Sequence, residues 1–207
     1  MVYLHKPGHS GGKMADRIFV WVGHPAQNSL SSALANAYTR GAEIGGTEIR
    51  RMNLDEMSFD PDLTNGYKQR KELEPCLEEW RENILWAEHL AWFYPQWWGG
   101  MPAKMKGVLD RAYLPGFAMN YHEDDPWWDK LLQGRSADVF ITADAPDFFD
   151  RLAYGRPAQN QGVNLVLKFA GGKPVKCHQF GSAKSAKPEK ISRWIARAEK
   201  RGRAIAI

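Results

Sequence analysis

Five short apolar runs alternate along the chain with longer segments in which apolar residues recur at helical spacing. The strand-like runs cover residues 17–23, 47–54, 89–94, 136–142 and 174–180. The helical segments cover residues 29–41, 72–87, 102–113, 148–169 (interrupted near 155–157) and 187–203. The first and third runs are almost entirely apolar, which is typical of parallel strands buried on both faces. Strands that alternate with helices in this way predict a parallel sheet.

The rhythm of these elements predicts one α/β domain. Five strands with helical crossovers fit a flavodoxin-like three-layer sandwich, a five-stranded parallel sheet with the order 2-1-3-4-5. A chain of 207 residues suits one such domain, which we expect to span residues 17–207. Residues 1–16 show no periodicity and are predicted to be a flexible N-terminal arm or a cloning remnant, with Met14 as a possible start. The aromatic stretch 115–133 is predicted to be irregular.

The composition narrows the class of protein. The net charge of +4 is mixed along the chain, and the basic stretch 184–203 has the spacing of a solvated helix face, so we expect no nucleic-acid partner. Cys76 and Cys177 form no CxxC pair, which favours a reducing, cytoplasmic setting without disulfides or zinc. No apolar run approaches the roughly 20 residues of a membrane span. The acidic run after His122 is contiguous and cannot converge on one metal ion, so no metal site is expected.

The ligand site is expected where the strands end. In a doubly wound sheet, ligands bind beyond the carboxyl ends of the strands, which selects the loops 23–31, 95–102 and 142–148. The first loop enters a helix, whose free N–H groups and dipole favour a phosphate. Ser29 is also a candidate helix cap, and capping is compatible with phosphate binding at the same helix end. The chain contains neither a GxGxxG nor a Walker motif, which argues against those two kinds of nucleotide site.

The second loop is the most informative part of the chain. Pro95 ends an apolar strand because it cannot donate to a sheet, and Pro102 suits the first turn of the next helix. Between them, Trp97 and Trp98 stand next to two glycines, an arrangement that can press a π-face and a backbone against a planar ring. The alternative is that the two indoles fill the core between helix and sheet, although a polar, glycine-flanked loop is an unusual place for buried indoles.

These residues carry a family resemblance. The run from Pro95 to Ala103 is similar to the flavin-binding segment of the NAD(P)H:quinone reductase family, which includes the bacterial modulator-of-drug-activity and ancillary potassium-efflux oxidoreductases. Further matching positions are Lys106-Gly107, Asp110-Arg111, Phe117-Ala118 and Gly23-His24-Pro25-Ala26-Gln27-Asn28-Ser29-Leu30. The resemblance covers roughly residues 17–200. It implies a flavodoxin-like fold, a non-covalently bound flavin (FAD favoured over FMN), NAD(P)H as co-substrate and a homodimer.

The resemblance also implies which residues hold the flavin. The expected cofactor contacts are His24, Asn28, Ser29, Leu30 and Ser31 at the phosphate, Pro95, Gln96, Trp97, Trp98 and Gly99 along the isoalloxazine, and Thr142, Ala143 and Asp144 in the third loop. Two departures stand out: Gly99 replaces an aromatic residue of the mammalian enzymes, and the third loop keeps a threonine but loses two glycines. Asp144 could accept from a ribityl hydroxyl or the flavin N3–H, although a carboxylate beside N1 would oppose the reduced anion.

The catalytic donor is the least determined part of the site. The quinone reductases use a tyrosine and a histidine after their third loop to stabilise charge on the reduced flavin. Counting from Thr142, Phe149 or Asp150 stands near the position of that tyrosine and Arg156 near that of the histidine. Tyr154 is close enough to replace the tyrosine, so Tyr154 and Arg156 are the candidates here. The alternatives are that Tyr154 is a packed aromatic and Arg156 a solvated charge.

Two functions follow from the resemblance. The first is a flavoprotein that passes hydride from NAD(P)H through flavin N5 to quinones or similar electron-poor aromatics, in two ping-pong half-reactions. The second is a flavin- and nucleotide-binding regulatory subunit of a potassium-efflux transporter. A flavodoxin-type electron carrier is disfavoured because the chain is not strongly acidic. The aromatic segment 115–128 is too apolar for a solvated loop and is expected to contact a second copy.

Overall fold

A computed structural model describes residues 15–206 of the protein. The strands are β1 (Arg17–Val22), β2 (Glu48–Asn53), β3 (His89–Pro95), β4 (Met119–Tyr121), β5 (Trp128–Lys130), β6 (Ser136–Thr142) and β7 (Val175–Phe180). The helices are α1 (Leu30–Glu43), α2 (Pro75–Trp86), α3 (Ala103–Ala112), α4 (Asp147–Ala153), α5 (Pro157–Gln159) and α6 (Pro188–Ala206), with a 3₁₀ turn at Gly66–Lys68. Helix α5 continues directly into a π-helix, Asn160–Lys168.

The main sheet has five parallel strands in the order β2-β1-β3-β6-β7. Numbered by their order within this sheet, the strands run 2-1-3-4-5, so the predicted topology is confirmed. Strand β3 lies at the centre, and Pro95 at its end pairs in register with Thr142 at the end of β6. The loops that follow β1, β3 and β6 therefore leave the sheet at one edge.

Alternation along the strands divides the core into two layers. On one face, Trp21 and Trp92 point toward α2. Trp80 of α2 meets Trp21 edge to face at 5.0 Å and lies tilted to Trp92 at 6.3 Å. On the other face, Phe93 stacks on Phe140 at 4.4 Å beneath α1 and α6. Successive side chains of a strand point to opposite faces, so an almost continuous apolar run supplies both layers.

The stretch 115–133 is more ordered than predicted. Strands β4 and β5 pair as a short antiparallel hairpin, so the expectation of an irregular segment is wrong over these residues. The hairpin packs against the core, because Phe117 just before it is buried and Trp128 stacks on Phe169 at 4.3 Å. Tyr121 and Trp127 remain 62% and 66% exposed. Part of the aromatic character of this segment therefore serves the core, and part stays on the surface.

Element ends differ slightly from the predicted ones. Helix α1 begins at Leu30 with Ser29 as its cap, and α3 begins at Ala103 with Pro102 in the capping position. The predicted helix 148–169 is divided into α4, α5 and the π-helix, and the break falls at Gly155 and Arg156, which both have positive φ. Most of the predicted N-terminal arm, residues 1–14, lies outside the described residues. Within residues 15–206, no helix is long and apolar enough to cross a membrane.

A buried charge network lies between the sheet and the α1–α6 layer. Asp138 on β6 is fully buried and accepts from Arg201 Nε at 2.7 Å and from Tyr38 Oη at 3.4 Å. Its carboxylate also lies 3.4 Å from His178 Nε2 and 3.3 Å from His89 Nε2. Burial alone would raise the pKa of Asp138, but these partners outweigh burial and hold its pKa well below the usual range. The ionised carboxylate therefore ties α1 and α6 to the sheet.

Candidate active site

Three loops meet at the carboxyl edge of the sheet. The N–H of Gly23 donates to the carbonyl of Phe93 at 2.7 Å, and the N–H of Gln96 donates to the carbonyl of Thr142 at 2.8 Å. The imidazole of His24 meets the indole of Trp97 edge to face, with ring centroids 5.8 Å apart. The structure thus brings the first, second and third predicted loops side by side.

The first loop ends in a helix terminus prepared for an anion. Ser29 Oγ accepts from the N–H of Ser32 at 3.1 Å, which confirms the predicted cap. The N–H groups of Leu30 and Ser31 have no acceptor among residues 15–206. The Ser31 hydroxyl is buried and unpartnered within the same part of the chain, and Asn28 takes a φ of 56° immediately before the cap. These free donors at a helix start are typical of a phosphate site.

His24 is fixed by its own loop. Its Nδ1 lies 3.0 Å from both the N–H and the carbonyl oxygen of Ala26. These contacts hold the ring against Trp97 and leave Nε2 without a partner in the described part of the chain.

The second loop is a tight hairpin that carries its indoles on the outside. Trp97 and Gly100 exchange two backbone hydrogen bonds of 2.9 Å, and Trp98 and Gly99 at the tip have φ angles of 51° and 77°. Such positive angles are those of a type I′ hairpin turn, which favours glycine at its second tip position, here Gly99. Trp98 is fully exposed and Trp97 46% exposed. The alternative that the two indoles fill the core is therefore wrong.

The hairpin is supported by the start of the π-helix. The N–H of Met101 donates to Gln161 Oε1 at 3.1 Å. The next residue, Gly162, packs so closely on Tyr94 that an added Cβ would lie 2.2 Å from the tyrosine Oη. That hydroxyl in turn donates to the carbonyl of Ala158 at 3.1 Å. The position of the tryptophan hairpin therefore depends on the helix that follows the third loop.

The third loop is held mainly through its backbone. Thr142 is nearly buried, and the N–H of Ala143 donates to the carbonyl of Phe180 at 3.0 Å. Asp144 is exposed, and its Oδ1 accepts from the N–H of Lys184 at 3.1 Å. One oxygen of Asp144 has no partner in the described part of the chain, so it can still accept from a ligand.

The two catalytic candidates lie near this edge in different environments. Tyr154 is 59% exposed, and its ring contacts Phe149 edge to face at 5.2 Å. Arg156 has a left-handed φ of 54°, and its guanidinium pairs with Asp147 at 3.0 and 3.1 Å. Its Nε is buried without a partner among the described residues. Arg156 is thus not a freely solvated charge, and one of its donors is available.

Sequence reasoning assigned no role to Asp150, which is a buried carboxylate in contact with the second loop. Asp150 on α4 is fully buried, and its Oδ1 and Oδ2 accept from Gln96 Nε2 at 2.8 Å and Gln179 Nε2 at 2.7 Å. Gln96 follows β3, Asp150 lies within α4 and Gln179 is the penultimate residue of β7, so no local spacing relates the three. The one available signal was that Gln179 places an uncharged polar residue at the carboxyl end of a strand.

Several elements at this edge carry an unpartnered polar atom. Within residues 15–206, nine buried side-chain polar atoms make no hydrogen bond, and four of them are Gln96 Oε1, Gln179 Oε1, Arg156 Nε and Ser31 Oγ. Buried polar groups normally have partners, so these atoms fit a ligand with several donors and acceptors beside a flat apolar surface. The residues present therefore fit a flavin. No group of histidine, cysteine and acidic side chains within the same residues is placed to hold a metal.

The fold and the site together define a doubly wound α/β protein with its ligand site at the switch edge of the sheet. The chain belongs to the flavodoxin-like fold family, whose sequence model matches residues 16–201. The fold that the resemblance implied is thereby confirmed.

Two curated relatives are oxidoreductases by name. The chain is 27% identical to an uncharacterized NAD(P)H oxidoreductase of Haemophilus influenzae over 163 residues, which cover 76% of this chain and 80% of that protein. It is 25% identical to the ribosyldihydronicotinamide dehydrogenase (quinone) of Homo sapiens, over 61% of this chain and 62% of that protein.

A solved structure of similar size has the same architecture. The NAD(P)H:quinone oxidoreductase from Methanothermobacter marburgensis superposes with a TM-score of 0.78 at 26% identity, covering 91% of this chain and 98% of that chain. The likeness extends through nearly all of both chains.

Proposed function

We propose that the protein is a flavin-dependent NAD(P)H oxidoreductase that reduces quinones or similar electron-poor aromatics. The observation that carries this proposal is the contact between an anion-binding helix start and an exposed tryptophan hairpin, made by His24 and Trp97 at 5.8 Å. The helix start suits the phosphate of a flavin, and the tryptophan hairpin suits its planar ring system. The oxidoreductase names of the relatives in both curated proteins and solved structures support the same class.

The chain's own residues would bind and orient the cofactor. The N–H groups of Leu30 and Ser31 take the phosphate, the hairpin from Gln96 to Gly99 lies along the ring, and Asp144 accepts from a hydroxyl or N–H group. When bound, flavin supplies the two-electron chemistry, since N5 can take a hydride from NAD(P)H and later give it to the acceptor in ping-pong order. One phosphate loop would serve either FAD or FMN. The preference for FAD therefore rests only on the resemblance to the quinone reductases.

Reduction brings negative charge that the protein must stabilise. Tyr154 Oη is exposed and free to donate, and the unpartnered Nε of Arg156 is a second donor on the same segment. A donor that meets charge only as it develops lowers the barrier rather than tightening substrate binding. We assign these two residues to that role.

We also propose a cytoplasmic homodimer. Cys76 and Cys177 are free thiols, in keeping with a reducing compartment. Tyr121 and Trp127 keep large exposed rings on the β4–β5 hairpin, and a second copy is the partner that would cover them. Light scattering at micromolar concentration tests this, and a fully active monomer would contradict it.

The flavin proposal is tested on the purified protein. We expect a yellow protein whose cofactor is released by denaturation and identified by chromatography. Steady-state oxidation of NADH and NADPH with a panel of quinones then tests the activity. A colourless protein that neither FAD nor FMN reconstitutes would refute the proposal, and flavin binding without NAD(P)H oxidation would leave only a binding function.

A further inference from the structure

A buried carboxylate without a cation lies at the carboxyl edge of the sheet. Asp150 is fully buried and forms no ion pair within residues 15–206. Of the two arginines that follow Asp150 in sequence, Arg151 is exposed and Arg156 is paired with Asp147. The only donors to the Asp150 side chain in this part of the chain are the neutral amides of Gln96 and Gln179.

This arrangement fixes the orientation of both amides. Each glutamine gives its NH₂ group to one carboxylate oxygen, at 2.8 Å for Gln96 and 2.7 Å for Gln179. Each amide oxygen is therefore turned away from Asp150, and both oxygens are buried without a partner among the described residues. Because a buried acceptor without a donor is costly, these two oxygens suit N–H or O–H groups of a ligand.

The same carboxylate joins the parts of the site that are far apart in sequence. Gln96 is the first residue after β3, and its N–H is already held by the carbonyl of Thr142 at 2.8 Å. Gln179 lies at the end of β7, and Asp150 lies on the helix that follows the third loop. The side chain of Asp150 thus connects the base of the tryptophan hairpin to α4 and to the end of β7.

We propose that Asp150 is a positioning residue that orients the Gln96 and Gln179 amides toward the flavin and, as a fixed negative charge, lowers the reduction potential of the bound flavin. This inference rests on the proposed function. Reduction adds negative charge to flavin, and a buried carboxylate that no cation neutralises opposes that charge more strongly than a solvated one. Removing the charge should therefore favour the reduced cofactor.

Two substitutions test the two parts of this role. In Asp150→Asn, the charge is lost and both hydrogen bonds are kept, but one glutamine must turn its amide over and then presents its NH₂ group instead of its oxygen to the ligand. In Asp150→Ala, both hydrogen bonds and the charge are lost. Asp124→Asn removes an exposed carboxylate elsewhere on the surface and serves as the matched control.

The experiment measures the flavin midpoint potential and the flavin dissociation constant of each purified holoprotein. We expect Asp150→Asn to favour reduced over oxidised flavin at least tenfold relative to the wild type, which corresponds to a rise of about 30 mV for a two-electron couple. We expect Asp150→Ala to weaken flavin binding at least tenfold and Asp124→Asn to change neither quantity. Thermal melts identify a variant that fails to fold, and the near-isosteric Asn variant then decides the question.

The outcomes are distinct. A flavin-bearing wild type whose Asp150→Asn variant keeps the same potential overturns the inference alone. A wild-type protein that takes up no flavin overturns the proposed function and the inference with it.

Discussion

Replacing Asp138 with asparagine tests whether the buried charge network stabilises the fold. The carboxylate is fully buried, and its partner Arg201 is only 18% exposed. Removing one member of a buried ion pair leaves an uncompensated charge and costs about 3–5 kcal/mol. Asparagine keeps the shape of the side chain and one acceptor oxygen, so we expect the free energy of unfolding to fall by about 3 kcal/mol. For a domain of this size, that corresponds to a fall in Tm of about 6–12 °C.

The destabilisation caused by Asp138→Asn should become smaller as the pH falls. The folded-state pKa of Asp138 lies well below the ordinary carboxyl value, so its ionised form stabilises the protein at every pH above about 4. As the pH falls from about 4 toward the folded-state pKa, this stabilisation is lost by about 1.4 kcal/mol per pH unit. The difference in unfolding free energy between wild type and variant should therefore be constant near neutrality and shrink in acid.

Urea unfolding of both proteins at pH 7, 5, 4 and 3 measures this difference. Asp124→Asn, which changes an exposed carboxylate, controls for the loss of one negative charge. A variant that is destabilised by less than about 1 kcal/mol, or by the same amount at every pH, would refute the reasoning.

Three further substitutions address the site. Gly162→Ala should destabilise the protein by about 1–3 kcal/mol in urea unfolding, because the new Cβ would lie 2.2 Å from Tyr94 Oη; unchanged stability would show that the contact relaxes freely. Trp98→Ala should weaken flavin binding by about 1–3 kcal/mol without loss of stability, since the indole is fully exposed. Tyr67→Ala, which removes another exposed ring, is the control. If Trp98→Ala binds flavin as tightly as the wild type, the indole is not part of the site. Tyr154→Phe should leave flavin bound but slow its reduction in stopped flow, whereas an unchanged rate would leave the donor role to Arg156.

The fold was accessible from the sequence because its signals are local. The almost continuous apolar runs at β1 and β3 identify strands buried on both faces, and the helical spacing between strands requires parallel crossovers. The positions of the three loops then follow from the topology alone. Pro95 and Pro102 marked the ends of the tryptophan loop by their backbone chemistry, within one residue of the observed boundaries.

The parts that could not be predicted depend on contacts between distant segments. Asp150 has the sequence context of a solvent-facing residue on a short helix, and only the folded chain brings Gln96 and Gln179 to it. The β4–β5 hairpin was hidden because some of its aromatic residues face the core and others face solvent, which removes the alternation that identifies a strand. The π-helix has no signature in residue spacing.

The π-helix makes the site sensitive to chain length. Each of its N–H groups reaches the carbonyl five residues back, so every hydrogen-bonded ring encloses one more residue than in an α-helix. Loss of a single residue before Gln161 would allow this segment to rewind as an α-helix, and the side chains around the deletion would turn by about 100°. The N–H of Met101 would then lose its acceptor, and Gly162 would no longer face Tyr94. Insertions and deletions between Arg156 and Lys168 should therefore be rarer among functional homologues than substitutions at the same positions.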